Sequence, residues 1–491
     1  MSKRPIRTFS LLAFFFLLIY CASFVHKVHA QLSPSLQTIL ENGDASDAFW
    51  AVVVTDSAGN PLEQYHADKL IRPASAWKLV TAAACLNYLG GDYTFLTGLY
   101  GTGGQQGNTW SGDLLVRGSG DPSISGFFYE GNPLFLFERW AELLRSMGIT
   151  RIDGNLIGNE SFFDDVPYPR GWEWDDLSYY YGVEINALSF NNNVVDLEVL
   201  ADGEIGEKPE IQWFPFNTPY VDFINEQVIT PPESSYDESY RRILGTNTII
   251  LRSTLPRGYY ETEPLSVTQP SLYFIDTFRR VLQMEGIRLT GRLITDRQER
   301  NWGDENRYRL LHEHESVPLR RMIEWQNKES DNFYAEMLLK TLAAEMYGVE
   351  GSTELGLEGV EEFIHTAGLD TTRTTLRDGS GMASATLIRA GDMNLLLHYI
   401  QSFDWFEDFY TSLSVAGVDG TLQSRFGGSF VRNQFFGKTG FVSGVRSLTG
   451  YLHTKSGQRL IVTLAANNFS TKTSSVDRVQ EQILEALYSM Y

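Results

Sequence analysis

From Arg72 to Gly91 the chain reads RPASAWKLVTAAACLNYLGG, an alanine-rich apolar run with a serine just after a proline and a lysine three residues later. Strong helix formers fill Ser75 to Leu89, Pro73 lies just upstream and Gly90-Gly91 closes the run. The stretch therefore predicts one helix with Ser75 at or near its N-terminus. Residues three apart share a helical face, so the Lys78 amine lies beside the Ser75 hydroxyl while Ala76 and Trp77 point elsewhere. That is a nucleophile with a base. A capping serine followed by a lysine also occurs by chance, so the rest of the chain has to carry the reading.

Working outward, FWAVVVTDSAGNPLEQYHAD (49–68) predicts a hairpin that leads into the helix. The other end mirrors it. RSLTGYLHTKSGQRLIVTLAANNF (446–469) is a second hairpin turning at Lys455-Ser456-Gly457, and SSVDRVQEQILEALYSMY is an amphipathic helix with Val476, Val479, Ile483 and Leu487 on one side. Both ends thus read as one antiparallel sheet flanked by helices, an α+β fold. Between them, 92–297 has short β-rich pieces, Gly, Asn and Pro turns and isolated helices. We read this as an insertion of two β-rich subdomains, the inner one at 190–262, splitting a catalytic domain into 31–91 and 298–491. From Ser316 onward long helices return, with Pro318 in a first turn and an apolar face through Met322, Ile323, Ala335, Leu338 and Leu342.

With 491 residues, two or three domains are expected, and 43% hydrophobic content with 10 Trp, 24 Tyr and 30 Phe excludes a disordered chain. The first thirty residues combine Lys3, Arg4 and Arg7, an apolar run from Phe9 to Val25 and small residues at Val28 and Ala30. They read as a secretory signal peptide cleaved after Ala30, and Tyr20 before Cys21 argues against a lipoprotein site. Loss of Lys3, Arg4, Arg7 and Lys27 takes the formal charge from −21 to −25. So acidic a protein repels nucleic acid and anionic lipid. Cys85 is then the only cysteine left, so no internal disulfide forms, and it reads as a small core residue.

Two further motifs stand later in the chain. In NKESDNFYAEMLLKTL, Ser330 and Asn332 are two apart and reach one site only if the backbone leaves the helix between them. In FFGKTGFVSGVRSLTGYL, Lys438-Thr439-Gly440 opens an edge strand, where Gly440 would let a substrate backbone approach closely. Each motif is weak alone. The ordered set SxxK, SDN, KTG in these three contexts belongs to β-lactamases and penicillin-binding proteins.

β-Lactamases place their second motif much closer to the first than Ser330 stands to Ser75. With SGDLLVRGSGDPSIS, GWEWDDL, INALSFNNN, TLRDGSGMAS and AGVDGTLQSRF added, nearly the whole chain beyond Ala30 resembles the D-alanyl-D-alanine carboxypeptidase/endopeptidase family, the class C low-molecular-mass penicillin-binding proteins. The resemblance implies a penicillin-binding-protein/β-lactamase-like domain with large insertions. It implies an exported, periplasmic enzyme that cleaves peptidoglycan stem peptides or crosslinks and is acylated by β-lactams, with no metal or organic cofactor. Ser75 would attack the penultimate D-alanine carbonyl, and Lys78, kept neutral by burial and cationic surroundings, would take its proton. The N–H groups of Ser75 and Phe441 would form the oxyanion hole. Ser330 would relay the proton beside Lys438, Asn332 would hold the substrate amide, and Thr439 the terminal carboxylate, with Ser443 further along the groove. A catalytically idle wall-binding protein and a β-lactamase are the alternatives, and the oligomeric state stays open.

Two departures from the family pattern stand out. Phe441 replaces the usual Ser or Thr after KTG. Asp176 and Tyr181 match the acid and aromatic that face a diaminopimelate side chain, but the arginine expected opposite them is Ser384, leaving Arg389 as a candidate substitute. Three other signals carry less. HEHES (312–316) lacks HExxH spacing and reads as a solvated loop, RGSGDPS has no GK[ST] after it, and Asp378-Gly379-Ser380-Gly381 is a turn by composition that the resemblance places near the active site.

Overall fold

The computed structural model describes residues 31–298 and 307–491, so the leader through Ala30 lies outside the described residues. The central sheet has six antiparallel strands in the order Pro61–Tyr65, Phe49–Asp56, Arg459–Asn467, Val445–His453, Phe435–Val442, Ser414–Val415. Its two faces follow from the two-residue period of a strand. Trp50, Val52 and Val54, with Leu460, Val462 and Leu464, pack on the helices Pro34–Asn42 and Thr473–Met490. Ala51 and Val53, with Ile461 and Ala465, meet the opposite layer, built from Lys78–Leu89, Leu319–Glu329, Asn332–Tyr347, Thr353–Thr366 and Ala390–Ile400. Cys85 is buried there, and burial pushes its thiol up to about 12.

The insertion leaves after the Lys78–Leu89 helix and builds a five-stranded sheet in the order Leu293–Thr295, Leu156–Asn159, Leu114–Arg117, Leu96–Gly101, Arg309–Glu315, with a four-stranded sheet beside it. The last strand corrects the boundary expected at 297: Arg309–Glu315 pairs antiparallel with Leu96–Gly101, so the inserted sheet is completed only there. It also corrects the reading of HEHES as a loop. His314 points inward, is buried, and its ring nitrogen lies 3.2 Å from the Tyr129 hydroxyl. The inner part is framed by Val194–Leu200 and Tyr260–Ser266 and so runs past 262. Its Val195, Leu197 and Ile249 share one apolar cluster with Leu99, Trp140 and Phe274 of the outer part, so the insertion is stabilised as one body. Among the described residues no helix is long and apolar enough to cross a membrane.

Candidate active site

The helix expected from Ser75 begins differently. A 3₁₀ turn, Ala74–Trp77, precedes the α-helix Lys78–Leu89, and Ala74 before the serine has φ +46, a left-handed conformation costly for a residue with a Cβ. Two contacts hold it. Ser447 Oγ donates to the Pro73 carbonyl at 2.5 Å, and Gly381 packs so closely that a Cβ there would lie 2.1 Å from the Ala74 oxygen. Gly440 serves the same packing: a Cβ on it would meet Ser447 Oγ at 2.2 Å and Pro73 O at 2.4 Å. Its missing side chain makes room for the turn that carries Ser75, a packing role that the reading as a site of substrate approach had not included.

The Ser330–Asn332 motif leaves the helix as it must. Ser330 takes φ +63 and ends Leu319–Glu329, while Asp331 caps Asn332–Tyr347 by accepting from Tyr334 N. Lys438 and Thr439 lie inside the strand Phe435–Val442. Its outer neighbour Ser414–Val415 pairs only with Phe436 and Gly437, so from Lys438 onward the edge is open.

These elements meet in a cleft of about 560 Å³ lined by Ser75, Ser330, Asn332, Thr439, Phe441, Ser443, Asp176, Tyr181 and Ser384. Lys78 is fully buried beneath it, with Nζ 3.0 Å from Ser75 Oγ, 2.6 Å from Asn332 Oδ1 and 3.0 Å from the Ser380 carbonyl. Burial pulls its pKa down to about 8, against the opposing pull of Asp378, Glu336 and Asp331. The surroundings are therefore anionic, and burial alone favours the neutral amine. Lys438 is also fully buried. Its Nζ donates to Ser330 Oγ at 2.7 Å, and burial, then Lys78 and Arg446, hold its pKa well below the lysine range.

Asn332 is engaged at both ends within the protein. Its Oδ1 accepts from Lys78, and its Nδ2 donates to the Tyr181 carbonyl at 2.9 Å. It bridges base and insertion, where the resemblance implied a substrate contact. Tyr181 stacks on Tyr179 with ring centroids 5.5 Å apart, and Asp176 is pushed up to about 6 by burial and by Asp175 and Glu173. Arg389 is not in the cleft, because its guanidinium forks onto Asp392 at 2.7 and 2.9 Å.

Glu336 and Thr421 were not singled out from sequence, and Asp378 only as part of a turn that the resemblance places near the site. Glu336, fully buried one turn after Asn332, accepts from Gly379 N and Ser380 N at 2.8–3.0 Å, and burial pushes it up to about 7. Asp378 accepts from Trp172 Nε1, Ala383 N and Thr386 Oγ1 and shapes the turn whose Ser380 carbonyl meets Lys78. Thr421 lines the cleft with its hydroxyl 2.8 Å from that of Thr439. The only sequence signal for Glu336 was its place four residues after Asn332, on the same helical face. Among the described residues no group of His, Cys, Asp and Glu is arranged to hold a metal ion.

A buried amine whose pKa is lowered to about 8, beside a serine and under a cleft large enough for a peptide, is equipped for acyl transfer, and the fold that carries it is that of a penicillin binding protein. The class is therefore that of serine acyl-transfer enzymes. Within it, the chain belongs to the D-Ala-D-Ala carboxypeptidase 3 (S13) family, which it matches over residues 32–488. It is 30% identical over 443 residues to a D-alanyl-D-alanine carboxypeptidase of Actinomadura sp. (strain R39), covering 87% of this chain and 79% of that one. The fold is similar to that of penicillin binding protein 4 (dacB) from Haemophilus influenzae, with a TM-score of 0.81, 23% identity and coverage of 92% and 99%. The same protein complexed with a β-lactam superposes with a TM-score of 0.75 and 22% identity over 93% of this chain and all of that one. The present chain is accordingly a serine peptidase acting on D-alanyl-D-alanine bonds.

Proposed function

We propose that Ser75 forms the acyl-enzyme of an exported DD-peptidase that trims or cleaves peptidoglycan peptides and is acylated by β-lactams. The observation that carries this reading is the three-way contact of Lys78 Nζ. As an ammonium it donates to Ser75 Oγ, Asn332 Oδ1 and the Ser380 carbonyl; as an amine it keeps two hydrogens for the two carbonyl oxygens, and its lone pair is left for the serine hydroxyl. Ser75 then gives its proton to Lys78 as Oγ bonds to the penultimate D-alanine carbonyl carbon. The N–H groups of Ser75 and Phe441 receive the oxyanion. Ser330, beside Lys438, passes a proton to the departing amine as the C–N bond breaks. Thr439, with Thr421 as second hydroxyl in place of the one absent at Phe441, takes the terminal carboxylate. Water attacks the ester, returns the serine proton and releases the peptide.

The test is mass spectrometry after incubation with benzylpenicillin, together with product analysis on purified peptidoglycan. A stable adduct on Ser75, absent in Ser75→Ala, with released D-alanine or cleaved crosslinks is expected. Rapid penicillin turnover without an adduct supports a β-lactamase, and no adduct with no product supports an idle wall-binding protein; either result overturns the proposal.

A further inference from the structure

Two cations line the cleft on the side of the central sheet, and their surroundings differ. Arg446 stands opposite Phe441 in the strand pair, and its guanidinium forks onto Asp477 of the terminal helix at 2.7 and 3.2 Å. That charge is already neutralised. Arg72, three residues before Ser75, is held by its backbone instead: its N–H donates to Asn467 Oδ1 at 2.8 Å, and its carbonyl accepts from Asn467 Nδ2 at 3.4 Å. Its guanidinium, half-buried in the cleft wall, has no ion pair and no hydrogen bond among the described residues. A partly desolvated guanidinium without an acceptor is an unfavourable state that a bound anion relieves.

The backbone brings this cation to where Ser384 leaves the cleft wall short and uncharged. Ile71 pairs antiparallel with Ile388, so Arg72 emerges alongside the segment that follows Ser384, and both residues line the cleft. The same pairing sets Arg389 against Leu70, outside the cleft, where Asp392 holds it. Glu173 and Asp176 also line the cleft, and neither has a cation within ion-pair distance among the described residues. Acids without cations and a cation without an acid thus share one cavity, the complement of a ligand that carries both charges.

We infer that Arg72 is the carboxylate-binding cation of the cleft and a specificity residue for the reaction at Ser75. The inference rests on the DD-peptidase reading above. The ligand is a free carboxylate close to the scissile bond, and a stem peptide offers two: the α-carboxylate of the terminal D-alanine and the side-chain carboxylate of the residue before the D-alanyl pair. An Arg–carboxylate fork is among the stronger polar contacts in water, and its loss weakens recognition about tenfold or more.

The experiment compares the full chain with Arg72→Gln and Arg72→Lys on three probes. Two are peptides ending in D-alanyl-D-alanine, with the preceding side-chain carboxylate free or amidated; the third is benzylpenicillin, whose ring carboxylate stands for the terminal one. If Arg72 holds the side-chain carboxylate, Arg72→Gln lowers kcat/KM for the free peptide about tenfold, to the level of the amidated one, with penicillin acylation unchanged. If it holds the terminal carboxylate, both peptides and penicillin acylation fall together, and Arg72→Lys keeps part of the loss back. Changes within twofold on all three probes overturn the inference, as does an equal fall on both peptides with penicillin unaffected. Should Arg72→Gln not fold, Arg72→Lys alone retains the charge, removes the fork and is read on the same probes. A parent chain inert to every probe would instead sink the peptidase reading, so the two failures are distinguishable.

Discussion

Asn332 Nδ2 donates to the main-chain carbonyl of Tyr181 at 2.9 Å, so a loop of the insertion holds the residue that holds Lys78. The insertion reaches the site in two further places. Trp172 Nε1 donates to Asp378 Oδ2 at 3.1 Å, and Asn192 Nδ2 donates to Asp331 Oδ2 at 3.0 Å. Asn192 does so from the middle of three consecutive asparagines with positive φ. The inserted domain therefore braces the surroundings of Lys78 at three points and is not an appendage to them.

That support is measurable at Asn192. Glycine tolerates φ +51 without strain, so Asn192→Gly removes the hydrogen bond to Asp331 and little else. Penicillin acylation is expected to slow roughly tenfold, with stability reduced by only ~1 kcal/mol, because a bond to a charged acceptor is lost at a partly exposed position. Unchanged acylation by stopped-flow would detach the insertion from the catalytic loop.

The pH dependence of acylation follows from Lys78. Its pKa is pulled down to about 8, and the base is the neutral form, so the acylation rate should climb as pH rises through about 8 and level off above it. Lys78→Arg should abolish acylation, since a guanidinium stays charged throughout. A rate that is flat between pH 6 and 10 removes Lys78 from the role of base.

Glu336 offers a test with two opposite readouts. Glu336→Gln leaves one amide oxygen where two carboxylate oxygens accepted from Gly379 N and Ser380 N, and it sets an NH₂ among buried donors. A loss of ~1–3 kcal/mol in denaturant unfolding is expected. The variant also removes an anion that raises the Lys78 pKa, so the rising limb of the acylation profile should move below pH 8. Destabilisation with the limb unmoved would make Glu336 purely structural.

At Gly440 even one methyl group is too much. Gly440→Ala sets a Cβ against the Pro73 carbonyl, a backbone atom that moves only with the nucleophile turn. We expect acylation to be lost together with ~1–3 kcal/mol of stability. Simultaneous Ser447→Ala should restore little, because the backbone contact remains. Full activity in Gly440→Ala would mean that the strand and the turn can separate freely.

How far the site could be read in advance depended on what each residue's neighbours were. Ser75 and Lys78 lie one helical turn apart, so their meeting is local, and the hairpins at either end are written in alternating apolar residues with turn residues between. Ser330 and Asn332 were legible as a departure from helix, and Ser330 makes that departure at φ +63. That Arg72 and not Arg389 lines the cleft was not legible, since it depends on the register of the Leu70–Ile71 pairing with Ile388–Arg389, which sets Arg389 against Leu70 and leaves Arg72 one residue beyond the bridge. At Gly440 the sequence shows only that a side chain is absent, and what one there would meet, Ser447 Oγ and the Pro73 carbonyl, comes from parts of the chain far away or a strand over. Glu336 accepts from Gly379 N and Ser380 N, which tertiary packing brings to it, and that leaves no short motif; Asp378 instead organises its own turn, at Gly381 N, Ala383 N and Thr386 Oγ1, within the TLRDGSGMAS stretch and just beyond it.

Phe49–Asp56, the central strand made before Ser75, has Arg459–Asn467 as its inner neighbour. During synthesis the insertion has all its strands once Glu315 is made, whereas the sheet beneath Ser75 waits for the last strand to emerge. The order of birth is therefore the reverse of the order of activity: the domain that braces the cleft can mature first, and the serine gains its setting only when the chain is nearly finished. A chain halted short of Arg459 would carry a folded brace and a serine that penicillin does not find.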